Sequence, residues 1–372
     1  MFLFSDASRR VEDPWLREAY RLAERGRGRT SPNPVVGCVV VKDATIIGRG
    51  FHEVAGGPHA EVVALREAGE AARGSHVAVT LEPCNHRGRT PPCTEALLDA
   101  GVASVTIGMR DPNPGVTGGG ADRLRAAGVR VSFADDASPF EEQNMEWVHW
   151  LSTGAPWVRV KLAVSLDGRV SLRPAERTVI TGRGGRRVTM RLRAASDAVV
   201  VGANTLKVDR PSLTVRDDSG TLAQHQPCRV VLSQVTVPDA DSPLFSDGAG
   251  PVKVLLSDAV PLDGASQIHA TGAEVLAYPA SAGLAGAMEA LGRDGHVSVL
   301  VEPGPNLFSA LWDADLIDEL FVVTAGGIAG ASAPGVYPFE HEAAGDELER
   351  RMMPVEAGVS SESAVSVWRR AR

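Results

Sequence analysis

Between residues 35 and 133 short apolar runs alternate with segments of helical period. Residues 35–42 and 45–51 read as two strands joined by a short polar turn, 60–72 as a helix, and 75–81 as a strand. The alternation continues with a helix at 92–100, a strand at 102–109, a helix at 120–127 and a strand at 129–133. Two strands followed by repeated helix–strand units bury their apolar faces as a sheet covered by helices, a three-layer α/β/α domain. An earlier helix opens at Asp13-Pro14, where Asp suits the N-cap and Pro the first helical position. A helix over 139–151 and a turn over 152–156 close this unit.

A second pattern begins at Trp157. Strands are expected at 157–164, 198–201, 229–233, 252–257, 274–277, 297–301 and 319–324, with a closing strand at 364–369. Helices are expected at 185–195, 283–291 and 307–312, and loops at 217–227 and 330–350. The chain has 372 residues, which at roughly 100–200 residues per domain suits two domains. We place them at 1–152 and 156–372.

Composition excludes several classes. Hydrophobic residues make up 44% and charged residues 23%, as in folded globular proteins. The longest apolar run, Val35 to Val41, is far short of the ~20 residues of a membrane span. The N-terminus places apolar residues before its arginines, unlike a signal peptide, so a cytoplasmic location is expected. Net charge is −8. Residues 156–220 carry 13 Lys and Arg against 6 Asp and Glu, a local +7, leaving 25 against 40 in the remainder. An acidic chain with one basic stretch and no interleaving of aromatic and basic residues is a poor nucleic-acid binder and suits a small phosphorylated ligand.

The four cysteines are too few for a disulfide scaffold. Cys38 and Cys228 sit in or beside apolar strands and read as core. Cys84 and Cys93 belong with His59-Ala60-Glu61 and Pro83-Cys84-Asn85-His86-Arg87-Gly88-Arg89-Thr90-Pro91-Pro92-Cys93. One imidazole and two thiolates suit tetrahedral Zn²⁺ with an open fourth position. His59 falls at a helix start, Cys84 after a strand and Cys93 in a first helical turn, where the helix dipole favours thiolate. Glu61, two residues beyond His59, can carry a proton for a water at that open position. This arrangement is that of zinc deaminases. A closed structural zinc site needs a fourth ligand, for which His86 is the nearby candidate.

Generic deaminases have two residues between the cysteines; here there are eight. With Thr30-Ser31-Pro32-Asn33-Pro34 upstream and Asp111-Pro112-Asn113-Pro114 downstream, the chain resembles the bifunctional riboflavin-biosynthesis deaminase/reductase family, known as RibD or RibG, over essentially its whole length. The resemblance implies a cytidine-deaminase-like N-terminal domain in which His59, Cys84 and Cys93 ligate zinc and Glu61 is catalytic. It also implies that Asn33, His52, His86 and Arg89 contact the substrate, 2,5-diamino-6-(5-phosphoribosylamino)pyrimidin-4-one.

The resemblance continues through Lys161-Leu-Ala-Val-Ser165-Leu-Asp167-Gly168-Arg169, Leu192-Arg193-Ala194, Gly202-x-Asn204-Thr205, Asp209-x-Pro211-x-Leu213-Thr214-Val215-Arg216 and Val301-Glu302-x-Gly304-Pro305. It implies a dihydrofolate-reductase-like α/β domain that reduces the ribosyl group of the deaminated product with NADPH. Arg193, Leu213, Arg216 and Glu302 would face the substrate. Val164, Thr205, Asp209, Gly304, Pro305 and Asn306 would bind the cofactor. A strand running through a glycine turn into a helix is a physical phosphate cradle. Lys161 or Asp167 would assist proton movement, and the sequence does not rank them. The family's Ser-x-Trp is here Arg177-Thr178-Val179, its Asp-Ser-x-x-Arg is Ser233-Gln234-Val235-Thr236-Val237, and its acidic pair before Pro211 is Asp209-Arg210. These departures make a second reading relevant, a deaminase with a weak or silent reductase half. The resemblance further implies a homo-oligomer, while the acidic charge and the short apolar runs give the expectation of no nucleic-acid and no membrane partner.

Overall fold

Asp13 Oδ1 accepts the backbone N–H groups of Trp15 and Leu16, each at 2.8 Å, and so starts helix α1 (Pro14–Glu24) as the sequence predicts. In the computed structural model, residues 7–86, 91–113, 119–261, 265–337 and 352–371 are described. The chain divides into two units, Met1–Thr153 and Gly154–Arg372.

The first unit continues with β1 (Gly37–Lys42), β2 (Thr45–Phe51), α2 (Ala60–Ala68), β3 (His76–Leu81), α3 (Cys93–Ala100), β4 (Ser104–Met109), α4 (Gly120–Ala126) and β5 (Arg130–Phe133). Its sheet has the order β2-β1-β3-β4-β5. β1 pairs antiparallel with β2 and β3, whereas β3, β4 and β5 run parallel. Successive strand side chains point to opposite faces. Cys38 and Val40 pack with Ala60 and Ala64 of α2, Leu97 of α3 and Leu124 of α4. Val39, Val41 and Ala78, equally buried, face the side on which α1 packs. The expected three layers are present.

The predicted helix over 139–151 is two helices, α5 (Ser138–Gln143) and α6 (Met145–Thr153). Asn144 interrupts them. Its Oδ1 accepts from Val35 N at 3.0 Å and its Nδ2 donates to Val35 O at 3.1 Å, a two-point bond that holds the chain leading into β1. Hydrophobic periodicity carries no trace of that pairing.

The second unit contains β6 (Trp157–Val164), α7 (Arg183–Ala194), β7 (Ala198–Gly202), α8 (Ala203–Asp209), β8 (Cys228–Ser233), β9 (Val252–Ser257), α9 (Ala265–Ala270), β10 (Glu274–Tyr278), α10 (Gly283–Arg293), β11 (Ser298–Val301), α11 (Pro305–Asp313), β12 (Glu319–Ala325), β13 (Met352–Ser360) and β14 (Ser363–Arg370). The sheet order is β10-β9-β8-β7-β11-β6-β12-β14-β13. Strands β6 to β12 are parallel and the last two antiparallel. Val199 and Val201 are as buried as Val200, as expected for parallel strands covered on both faces. The chain leaves β6 for β7, moves outward to β10, then returns to lay β11 between β7 and β6. Such a reversal opens a crevice at the carboxyl ends of the strands, the usual ligand position in α/β sheets.

Short helices α8 and α9 and the strand β13 were not anticipated from the sequence. β13 is the sheet edge, is largely exposed, and carries Pro354 at a register shift. An edge strand tolerates proline because its outer N–H positions need no ladder partner.

Candidate active sites

The first site forms where α2, α3 and the end of β3 meet. Gly48 and Gly50 of β2 admit α2 at close range: a Cβ on either would lie 2.2 Å from the carbonyl oxygen of Ala64 or Ala60, respectively. That approach fixes His59, the N-cap of α2, and Glu61 in its first turn. Gly120 does the same for the loop after β3, since a Cβ there would lie 1.8 Å from Pro83 O.

His59 Nδ1 lies 3.1 Å from Cys93 Sγ and 3.5 Å from Cys84 Sγ. The three ligand atoms are all within 4.8 Å of one another. Tetrahedral bonding of zinc to nitrogen at ~2.0 Å and sulfur at ~2.3 Å separates such atoms by roughly 3.5 Å, so the donor set and its spacing fit the ion. The backbone N–H of Cys93, at the start of α3, points at Cys84 Sγ at 3.3 Å. Hydrogen bonding by Cys93, with His59 close by, holds the Cys84 thiol well below its ordinary range. Glu61 is buried beside Cys93; burial, reinforced by Cys84, raises its carboxyl to about 6.

Asn33 and His52, which the sequence reading separates as two substrate contacts, meet each other. Asn33 Nδ2 lies 3.1 Å from His52 Nε2, and His52 Nδ1 lies 3.1 Å from Pro58 O. The His52 ring stands edge-on to His59, with centroids 5.6 Å apart. His86, two residues after Cys84, is exposed. Arg89 falls outside the described residues. Sequence reasoning passed over Glu82. Buried just before Pro83-Cys84, it accepts Ala121 N at 2.9 Å and so ties the metal loop to α4. The available signal was an acid at the end of an apolar strand, next to Pro-Cys. Cys38 and Cys228 are both buried in cores.

The second site is a cleft of about 1120 Å³ at the strand reversal. Lys161, Thr205, Asp209, Leu213 and Glu302 line it, together with Gly304, Pro305 and Asn306. Gly304 caps α11, and a Cβ there would lie 3.2 Å from Thr205 Oγ1, so any larger residue would crowd that hydroxyl. A glycine turn opening a helix on a large cleft fits a dinucleotide pyrophosphate. Val164 is buried at the end of β6 and is not among the residues that line the cleft. Arg216 donates to Thr214 Oγ1 at 3.2 Å and to Gly220 O at 2.8 Å and remains partly exposed.

The structure separates the two residues that the sequence left unranked. Asp167 is a loop clamp. Its carboxylate accepts Ser165 Oγ at 2.6 Å, Ala329 N at 3.0 Å and Gly330 N at 2.8 Å, and these bonds hold it well below the usual carboxylate range. Lys161 faces the cleft, and burial lowers its ammonium despite the nearby Glu302. Arg193 does not stand apart as a ligand group either, because Glu302 occupies its guanidinium at 2.6 and 2.9 Å. Val179 is 77% exposed and gives the cleft no aromatic wall.

A triad of candidate zinc ligands beside a buried carboxylate, on a helix-covered sheet, suits a zinc-dependent deaminase domain, and a large cleft at the strand reversal suits a nucleotide-dependent reductase domain. The profile of the cytidine and deoxycytidylate deaminase zinc-binding region matches residues 10–109, and that of the RibD C-terminal domain matches residues 156–352. The riboflavin biosynthesis protein RibD of Escherichia coli strain K12 is 41% identical over 338 residues, 87% of this chain and 90% of that protein. The Chlamydia muridarum protein of the same description is 40% identical, with 82% of each chain covered. Among solved structures, Acinetobacter baumannii RibD aligns with a TM-score of 0.86 at 35% identity, covering 96% of this chain and 98% of that one. A Thermotoga maritima diaminohydroxyphosphoribosylaminopyrimidine deaminase/5-amino-6-(5-phosphoribosylamino)uracil reductase aligns with a TM-score of 0.82 at 30% identity, with the same coverage.

The chain belongs to the RibD family. It is a bifunctional enzyme of riboflavin biosynthesis that joins a zinc-dependent deaminase to an NADPH-dependent reductase, and its cofactors are Zn²⁺ and NADPH. The relatives match across both halves, which disfavours a silent second half. Among the described residues no helix is long and apolar enough to cross a membrane.

Proposed function

We propose that the first site hydrolyses the exocyclic 2-amino group of 2,5-diamino-6-(5-phosphoribosylamino)pyrimidin-4-one, and that the second reduces the ribosyl group of the product to ribityl. The observation that carries the reading is Glu61, buried beside the His59, Cys84 and Cys93 donors. The Thermotoga relative, whose description names both activities, supports the choice of substrate.

Zinc held by His59, Cys84 and Cys93 supplies Lewis acidity that acidifies water. Glu61 takes one proton of the attacking water and passes it to a ring nitrogen, then carries the second, from the hydroxyl so formed, to the departing amine, so that ammonia leaves as the water oxygen becomes the new carbonyl. A carboxyl raised to about 6 by burial suits both uptake and release of that proton near neutrality. Asn33, oriented by His52, reads the pyrimidine edge, and His86 and Arg89 are the groups that the resemblance assigns to the rest of the substrate, an arginine being suited to its phosphate.

NADPH held by Thr205, Asp209 and the Gly304-Pro305-Asn306 turn supplies a hydride. Leu213 and Glu302 hold the sugar in register, and Arg216 takes the phosphate. Lys161, aimed into the cleft, supplies the proton that C1′–O4′ opening requires. Asp167 keeps the β6 turn in place. The enzyme acts in the cytoplasm as a self-associating protein, and its net charge of −8 supports the absence of a nucleic-acid partner.

The test is a stepwise assay. Ammonia release from the diaminopyrimidine is expected without NADPH, followed by NADPH oxidation on the deaminated product. A zinc-loaded, deaminating sample that never oxidises NADPH rejects the second half of this reading.

A further inference from the structure

The cleft of the second unit runs across the carboxyl ends of four neighbouring strands, in the order β8, β7, β11, β6. At roughly 4.8 Å per strand, β8 and β6 lie roughly 14 Å apart. The Gly304 turn and the Thr205 hydroxyl stand in the middle, after β11 and β7 respectively. Lys161, on β6, marks one end. The other end is made by residues 232–239, at and after the end of β8, and by α8, which packs against that strand. Two cations line the cleft there, Lys207 in the last turn of α8 and Arg210 at its C-cap. We propose that Lys207 and Arg210 hold the 2′-phosphate of NADPH and so make the reductase site select NADPH over NADH; the proposal rests on the reading that the Gly304 turn takes the cofactor's pyrophosphate.

Position and charge carry it. A dinucleotide with its pyrophosphate in the middle of the cleft and its nicotinamide beside Lys161, where the sugar is reduced, must extend its adenosine toward β8. Residues three apart on a helix share a face, which sets Lys207 and Arg210 side by side. Arg210 takes a left-handed backbone conformation, with φ 44°, and its Nη2 donates to Asp241 O at 3.0 Å, so its guanidinium lies against the loop after β8. Both residues are exposed, and among the described residues neither forms an ion pair. Asp239, the acid on the facing loop, has its Oδ1 on Asp241 N at 3.0 Å. The loop itself supplies no cation, since residues 233–242 contain no Lys or Arg. The family's pattern has an arginine where this chain has Val237 and an acid where it has Arg210, so the positive charge at this end of the cleft comes from α8. A phosphate monoester carries about −1.5 to −2 charges at pH 7 and three acceptor oxygens, which two adjacent cations satisfy. The hydroxyl at the same place in NADH brings them no charge. The other phosphates have partners elsewhere, the pyrophosphate on the Gly304 turn and that of the substrate on Arg216.

The experiment titrates the full-length, zinc-loaded protein calorimetrically with NADP⁺ and with NAD⁺, comparing the parent with Lys207→Gln, Arg210→Gln, the Lys207→Gln/Arg210→Gln double variant and Gly304→Val. The parent is expected to bind NADP⁺ at least tenfold more tightly than NAD⁺, and that preference to shrink as salt rises, because exposed charges are screened. The double variant is expected to lose tenfold or more in NADP⁺ affinity, and each single variant threefold or more, with NAD⁺ affinity within threefold of the parent throughout. Should Arg210→Gln not fold, Arg210→Gly, which suits the positive φ, takes its place. Gly304→Val crowds the turn and is expected to weaken both dinucleotides alike. A parent-like ratio of the two affinities in the double variant overturns the proposal, and so does an equal loss of NAD⁺ affinity there. Intact affinity for both dinucleotides in Gly304→Val overturns the pyrophosphate reading instead, and the ratio in the double variant still decides the role of the two cations. A parent that binds neither dinucleotide overturns both.

Discussion

Asn33 Nδ2 donates to His52 Nε2 across 3.1 Å, and that one bond fixes which face of the Asn33 amide is offered to a ligand. Pro58 O can only accept, so the ring proton of His52 resides on Nδ1, 3.1 Å away. Nε2 is then an acceptor, the Asn33 NH₂ must point to it, and Oδ1 is left to receive a donor. Burial keeps the ring neutral by lowering its pKa.

This pair makes the first prediction. Nitrogen-15 shifts of the His52 ring should place the proton on Nδ1. His52→Ala should cost deamination roughly 0.5–1.5 kcal/mol in kcat/KM, the worth of one hydrogen bond. A proton found on Nε2 would refute the assigned amide orientation.

Zinc content is the second. Cys84→Ser and Cys93→Ser should each lose the metal, because two neutral ligands and one anion bind zinc far more weakly than His with two thiolates. Cys38→Ala and Cys228→Ala should keep it, since both side chains lie in apolar cores. Metal analysis decides; stoichiometric zinc in both serine variants would remove these residues from the ligand set.

Glu61→Gln is the third. The amide keeps the volume of the buried acid and its place beside Cys93 but cannot carry a proton. Zinc and substrate affinity should be retained while ammonia release falls by ~10²–10⁴-fold, the usual contribution of a general acid–base group. A loss of only a few-fold would take Glu61 out of the mechanism.

The fourth concerns Arg216, whose guanidinium donates to Thr214 Oγ1 and Gly220 O and stays partly exposed. Arg216→Ala should raise KM for the phosphorylated reductase substrate by more than tenfold, about 1.4 kcal/mol or more, with kcat changed less. An unchanged KM in NADPH-oxidation assays would place the phosphate elsewhere.

Much of this protein is readable without coordinates, for a definite reason. Strand and helix periods are local properties of neighbouring residues, and the runs at 45–51, 157–164 and 252–257 appear as β2, β6 and β9 with the same bounds. The candidate metal cluster is legible too: His59, Cys84 and Cys93, picked out by their residue types at helix starts and a strand end, are brought together in the fold. The resemblance supplied the substrate and the second activity.

What the chain alone leaves open depends on partners distant in sequence. Asn144 breaks a helix because Val35, 109 positions away, offers it an N–H and a C=O. Edge strand β13 carries no strand signal in the sequence because its partly exposed side chains lack the apolar alternation that marks a covered strand. Lys161 and Asp167 are near neighbours in sequence, yet one faces the cleft and the other clamps a loop at residues 329 and 330. Arg193 and Glu302 each read as a ligand group alone, and only the fold sets their charges against one another at 2.6 Å. Sequence determined the residue types and the local periods; tertiary structure decided which donor each acceptor meets, because hydrogen bonds and ion pairs form only over a few ångströms and that proximity is a property of the packed chain.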